Sequence, residues 1–332
     1  MNARQRWIVA LSPDGAARTV AEKTAEAFRE QLAPEACSIF DPRVYREGYK
    51  KLLKGQDEEM VVDLLNQSFA VHCFDFGATH CLVGALCPIT LFTLNLLRKH
   101  GVVTLHWFYE DFRRATYWRD ILPGYDHFLA IQRGPLPSAC RAASTEFHLL
   151  PTAGTAADIA MEKRERCFDI AFIGIPSPYR ITVLEALASS GMSVACGGEG
   201  WGAYRGILQK NMLATSWISG VESCRHLSRS KIGINLSLND GADRENTHIS
   251  PRAYDILAAG ALLLTENSPL IAESLAGCTF QTFRSVGEAI ETARDLLARS
   301  ALLEPAIHEN GRVVRTRHTY RSRVRDIISL VN

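Results

Sequence analysis

The stretch Asn246-Thr247-His248-Ile249-Ser250-Pro251-Arg252-Ala253-Tyr254-Asp255-Ile256-Leu257-Ala258-Ala259-Gly260 runs straight into Ala261-Leu262-Leu263-Leu264-Thr265. Ser250 suits an N-cap, Pro251 the first helical position and Gly260 a left-handed C-terminal cap, so the pattern predicts a helix of about nine residues. The short apolar run that follows reads as a strand buried on both faces, the kind found in parallel sheets.

The same alternation extends outward in both directions. Upstream, Phe168–Gly174 reads as a strand entering a Pro-Ser-Pro loop, Tyr179–Ser190 as a helix closed by Gly191, and Met192–Cys196 and Lys231–Leu236 as further strands. Downstream, Ser285 with Glu288 three residues on forms a capping box that opens another helix. The first half has the same rhythm. Trp7–Leu11 is a strand, Thr19–Leu32 a helix, Met60–Phe69 a helix, Ala70–Phe76 a strand, Leu91–Lys99 a helix, and Val102–Trp107, His127–Ile131 and Phe147–Leu150 strands. Between the halves Pro151–Asp158 (PTAGTAAD) is small, polar and turn-rich, the best linker in the chain. The expectation is an α/β protein of two Rossmann-like parallel-sheet domains facing a central cleft, residues 1–152 and 153–312, followed by a terminal segment 313–332.

The composition agrees with this division. At roughly 150 residues per domain, 332 residues make two domains, each able to bury a core. With 37 Lys+Arg against 36 Asp+Glu the net charge is +1, which excludes a whole-surface case for binding nucleic acid. No run of about 18 apolar residues offers a transmembrane helix, and Asp14-Gly15 interrupts the only apolar stretch near the N-terminus, so neither a span nor a secretory signal is expected. Nine cysteines without a Cys-x-x-Cys pair read as free thiols and point to the cytoplasm. His72-Cys73, His80-Cys81 and Cys87 lack zinc-type spacing and read as core residues in preference to metal ligands.

Parallel sheets bind ligands at the carboxyl ends of their strands, so chemistry is sought in the loops after them. Arg252 is the anomaly there. A cation in the first turn opposes the helix dipole, and two explanations are balanced: an anionic ligand such as a diphosphate shared with the free backbone N–H groups, or an ion pair with Asp255 three residues on. Gly197-Gly198-Glu199-Gly200-Trp201 permits close backbone approach but is not the dinucleotide fingerprint, which counts against a nicotinamide oxidoreductase. Glu110 and Asp111 end a buried strand, where a general base can stand or where acidic residues can simply open a helix.

Several segments together resemble the CgeB-type glycosyltransferases, close to the group 1 glycosyltransferases of GT-B fold. They are Phe172-Ile173-Gly174 with Tyr179-Arg180, the 197–201 glycine cluster, Ser230-Lys231-Ile232-Gly233-Ile234-Asn235-Leu236, the 250–265 helix–strand unit, and His318-Thr319-Tyr320-Arg321-Ser322-Arg323-Val324. They span about residues 168–328. The first half is similar chiefly through Trp107-Phe108-Tyr109-Glu110-Asp111.

The resemblance implies transfer of a sugar from a nucleotide-diphosphate sugar, needing no cofactor, to an acceptor such as a protein, lipid-linked saccharide or polysaccharide. The second domain would bind the donor: Asp255 the ribose, Arg252 the diphosphate with Arg180 and Lys231 as further cationic candidates, the backbone at Ile218 and Gly220 near the base, and Ser250 and Gly174 among the donor-binding residues. The first domain would bind the acceptor, with Asp111 or Glu110 as base, and the segment from 313 would pack back on it. The family's earlier acidic donor contact would fall near Thr247, where this chain has none. No Asp-x-Asp pair stands in a metal-binding loop, so the reaction is expected to be metal-independent. Alternative readings are a non-catalytic nucleotide or nucleotide-sugar binding protein, and a nucleotide-sugar hydrolase or epimerase.

Overall fold

In a computed structural model, residues 5–54, 57–156, 165–238 and 248–332 are described. The chain divides into two compact units. One comprises the residues up to Pro151 together with Arg323–Asn332, and the other Thr152–Ser322.

The first unit holds six strands: β1 (Trp7–Ala10), β2 (Cys37–Phe40), β3 (His80–Gly84), β4 (Val103–Phe108), β5 (His127–Ala130) and β6 (Glu146–Leu149). They lie in the order β2-β1-β3-β4-β5-β6, every pair parallel. β1 and β3 are buried along their whole length, as expected of strands covered on both faces. Arg323 Nε donates to Pro151 O at 2.7 Å, and Gln5 Nε2 to Asn332 Oδ1 at 2.9 Å, so the terminal segment is hydrogen-bonded into this unit.

Ala70–Phe76 is not a strand. A single helix runs from Glu58 to Phe76. Phe69 and Cys73, four residues apart, are both completely buried on its inner face, and Gly77 closes it in the left-handed conformation at φ 66°. The apolar density of this segment reflects a helix face pressed on the sheet, and the strand comes afterwards, at His80. Cys73, Cys81 and Cys87 belong to the first unit's core, while the half-buried His72 lies outside it with its Nε2 3.0 Å from Ser38 Oγ.

The second unit holds β7 (Phe168–Ile173), β8 (Val194–Gly197), β9 (Ser230–Asn235), β10 (Leu262–Glu266) and β11 (Gln281–Phe283), parallel throughout, in the order β11-β10-β9-β7-β8. Alternation along the strands sorts the core into two layers. Ile170, Phe172, Leu262 and Leu264 meet the helices Pro178–Ser189 and Val286–Ala298 on one face. Ala171, Ile173, Ala261 and Leu263 meet Gly220–Leu227 and Pro251–Ala258 on the other.

Candidate donor site

The Pro251–Ala258 helix begins with Ser250 extended at φ −84°, ψ 157°, and Gly260 follows its end at φ 76°. The helix bounds thus agree with the sequence pattern, but the cap chemistry differs. Ser250 Oγ makes no capping bond and instead donates to Asn235 Oδ1 at 2.7 Å, tying the helix start to the end of β9.

Arg252, in the first turn, does not form an ion pair with Asp255. Its Nε donates to Ile173 O at the end of β7, and its Nη1 to Asn235 Oδ1 and Leu236 O, both at 3.1 Å. Arg180 approaches the same place from the Pro178–Ser189 helix. It donates through Nη2 to Leu236 O and Nε to Ser237 O, each at 2.9 Å, and through Nη1 to Ile175 O at 2.8 Å. The guanidiniums lie 4.6 Å (Arg252) and 5.2 Å (Arg180) from the Phe172 ring centroid, within cation–π range. Two cations are thus gathered at the carboxyl ends of β7 and β9. Burial and the Arg180 charge press the Arg252 pKa down while Glu266 and Asp255 raise it, yet a guanidinium stays protonated through such shifts. Among the described residues, Arg252 Nη2 has no hydrogen-bond acceptor.

Gly174 is placed against this cluster. Its φ is 155°, and a Cβ there would come 2.5 Å from Arg252 Nη2, so a side chain would displace the guanidinium. The strand-end residues Asn235 and Glu266 complete the cluster, Glu266 accepting from Ser237 N and, at 2.9 Å, Ser237 Oγ. Sequence reasoning passed over both. The available signal was a polar residue at the carboxyl end of each of two strands with apolar centres, Asn235 of β9 and Glu266 of β10.

Asp255 is engaged by the segment that enters the second unit. Its Oδ2 accepts from Thr155 Oγ1 at 2.7 Å and its Oδ1 from Ala156 N at 3.2 Å, so the carboxyl is spent on the segment that enters the second unit. Burial pushes its pKa up to about 6, with these hydrogen bonds and Arg252 opposing the rise. Gly220, which begins the neighbouring helix, is needed here too, because a Cβ on it would meet Thr155 Oγ1 at 2.3 Å. Ile218 is buried in the same layer as Asp255's neighbours Tyr254 and Ile256. Lys231 is at the wrong end of the sheet: it is the second residue of β9, and it pairs with Asp169, the second residue of β7, at 2.9 Å. Thr247 lies outside the described residues.

At the carboxyl edge of the first unit's sheet the two acidic candidates separate. Asp111 is held by Arg113, whose Nε donates to Oδ1 at 2.8 Å and whose backbone N donates to the same oxygen at 2.9 Å. Glu110 has no such partner among the described residues, and burial raises its pKa, with Arg114 lowering it and Asp111 raising it further. A cavity of about 130 Å³ opens at the same edge, lined by Asp14 after β1, Leu86 after β3, Arg43 and Arg46 of the helix Pro42–Leu52 that follows β2, and Glu58. No helix among the described residues is long and apolar enough to cross a membrane.

Two parallel α/β units of six and five strands define the GT-B fold, and solved structures match it over nearly the whole chain. A glycosyltransferase from Rickettsia africae ESF-5 superposes with a TM-score of 0.67 at 11% identity, covering 99% of this chain and 98% of its own. Sucrose-phosphate synthase from Thermosynechococcus elongatus gives 0.67 at 12%, with the same coverage. The Anabaena protein HepE, in complex with UDP and glucose, gives 0.64 at 9%, covering 98% of this chain and 99% of its own. Residues 180–329 match the sequence family described as glycosyl transferase-like. No curated protein matches the chain. The family match and the fold together support sugar transfer as a class of activity.

Proposed function

We propose that this protein is a metal-independent glycosyltransferase that draws on a nucleoside-diphosphate sugar bound by the second unit. The observation that carries the reading is the convergence of Arg252, Arg180 and the start of the Pro251–Ala258 helix at the carboxyl ends of β7 and β9. Departure of a diphosphate needs positive charge and N–H donors where negative charge develops, and a helix N-terminus carrying an oriented arginine supplies both. Because carbonyl oxygens already hold these guanidiniums in place, little ordering is left to be done when an anion arrives. HepE is in complex with UDP and glucose, which makes UDP-glucose the first donor to try.

Asp255 takes a supporting part in this reading: it fixes the segment at Thr155 and Ala156 rather than holding a ribose. Glu110, at the carboxyl edge of the first unit's sheet, is the better base of the two acidic candidates, since burial moves its pKa toward neutrality and Asp111 is committed to Arg113. The acceptor is assigned to the first unit, and the narrower kinship with CgeB-type proteins belongs to the same proposal. So does a cytoplasmic setting, in keeping with nine thiols outside any disulfide.

The test is calorimetric titration of UDP and UDP-glucose into the full chain and into Arg252→Ala. Affinity in the variant should fall at least tenfold, about 1.4 kcal/mol. Equal affinity in the two proteins removes Arg252 from the site. Rapid release of free sugar from donor alone would instead identify a hydrolase.

A further inference from the structure

The first unit carries a group of side chains that sugar transfer does not use. His127 opens β5, and Glu146 and His148 are the first and third residues of β6. The register sets His127 directly across from Glu146 and Leu129 across from His148, so all three side chains rise from one face of the sheet at its last two strands. His127 Nδ1 lies 3.1 Å from His148 Nε2 and 3.3 Å from a Glu146 oxygen, and the other Glu146 oxygen lies 3.6 Å from His148 Nε2. All the ligand atoms fall within 4.8 Å of one another.

A hydrogen-bonded pair of imidazoles would account for one side of this triangle only. One ring nitrogen would donate and the other accept, and the donor could not also point squarely at the carboxylate. The three edges instead match the spacing of ligands around one small ion. Nitrogens about 2.05 Å from a tetrahedral zinc stand about 3.3 Å apart. The exposures complement each other: the histidine side chains are each 14% exposed and Glu146 is 65% exposed, so two fixed ligands are backed by the sheet and a third closes from solvent.

We infer that His127, His148 and Glu146 form a binding site for a divalent transition-metal ion, zinc by ligand type, that clips edge strand β6 to β5. Two imidazoles and a carboxylate suit zinc in preference to magnesium or calcium, which favour all-oxygen sets. His127 and Glu146 are the first residues of their strands and His148 lies two residues further along β6, whereas Glu110 follows the carboxyl end of β4. The ion therefore serves strand pairing and takes no part in transfer.

The experiment uses the full chain without a polyhistidine tag, freed of metal by chelator and titrated with Zn²⁺ by calorimetry and thermal melting. One equivalent should bind, the melting temperature should rise until that equivalent is reached, and Co²⁺ should give the visible bands of a tetrahedral nitrogen–oxygen site. His148→Ala should abolish all three signals, and the exposed Glu146→Gln, which leaves the fold untouched, should weaken Zn²⁺ at least tenfold. Absence of a stoichiometric equivalent in the wild type, or unchanged binding in both variants, would reduce the cluster to a hydrogen-bonded histidine pair. UDP titration of the same proteins keeps the two proposals apart, since the donor site lies in the other unit and should bind equally in all of them.

Discussion

The second sheet carries cations at both of its ends, and the two ends treat them differently. At the amino end, Lys231 reaches Asp169 in an ion pair whose side chains are 39% and 25% exposed. At the carboxyl end, Arg180 is buried and bonded to three backbone carbonyls, and Arg252 is bonded to two carbonyls and an amide oxygen. A charged pair neutralises itself and needs nothing further. The arginine hydrogen bonds run to oxygens at and just beyond the ends of β7 and β9, so the strand ends orient these side chains toward the place where a ligand of a parallel sheet would arrive. The difference teaches that what a cation is bonded to, and at which end of the strand it stands, says more about its role than its presence in a motif.

The contrast can be broken in three places. The largest effect should come from Arg180→Ala, which strips donors from the carbonyls of Ile175, Leu236 and Ser237. With hydrogen bonds from a charged group contributing about 1.5–3 kcal/mol each, and Leu236 O retaining its bond from Arg252, denaturant unfolding should register a loss of about 4 kcal/mol. A loss below 1 kcal/mol would mean that water or the backbone replaces the arginine easily.

Next comes Asp255. Its folded pKa of about 6 stands above the unfolded value of about 3.9, so the native state binds the extra proton and stability falls as pH rises between those values. The change across that window should be about 3 kcal/mol and flat above it. Unfolding measured from pH 4 to pH 7 should show the slope in the wild type and lose it in Asp255→Asn. An equal slope in both would place the titration elsewhere.

The smallest effect belongs to Lys231→Ala. An exposed pair contributes about 1 kcal/mol at most, and the residue is at the far end of the sheet from the arginines. Stability should move within that range and UDP affinity not at all. A weakened UDP affinity would overturn the assignment of the two ends.

Strand and helix periodicity made much of the architecture legible, because buried parallel strands are short apolar runs and the helices between them carry caps that can be read. The Pro251–Ala258 helix, with Ser250 before it and Gly260 after, is the clearest case. The capping box at Ser285 was legible in part: Ser285 Oγ accepts from Glu288 N, but the Glu288 carboxylate returns to the N–H of Arg284, one residue earlier than the motif expects. Ala70–Phe76 misled because seven apolar-rich residues fit a strand as well as a helix face, and only continuity with the preceding turns decides. In the site, Arg252 stood out because a cation in a first helical turn is unusual, whereas Arg180 entered only through the family resemblance. Asn235, Glu266 and Thr155 escaped because their significance lies in contacts with residues 15 to 100 positions away, which no local pattern encodes. Lys231 was drawn in by adjacency to a motif, and strand direction alone removes it.

The discontinuity of the first unit bears on synthesis. Residues 323–332 belong to it, yet a ribosome delivers them only after the whole of the second unit has been made. The nascent first unit must therefore wait without the partner that Arg323 provides for Pro151 O. A bulky insertion within residues 323–332 should therefore injure the first unit, although the whole of the second unit lies between them in the chain.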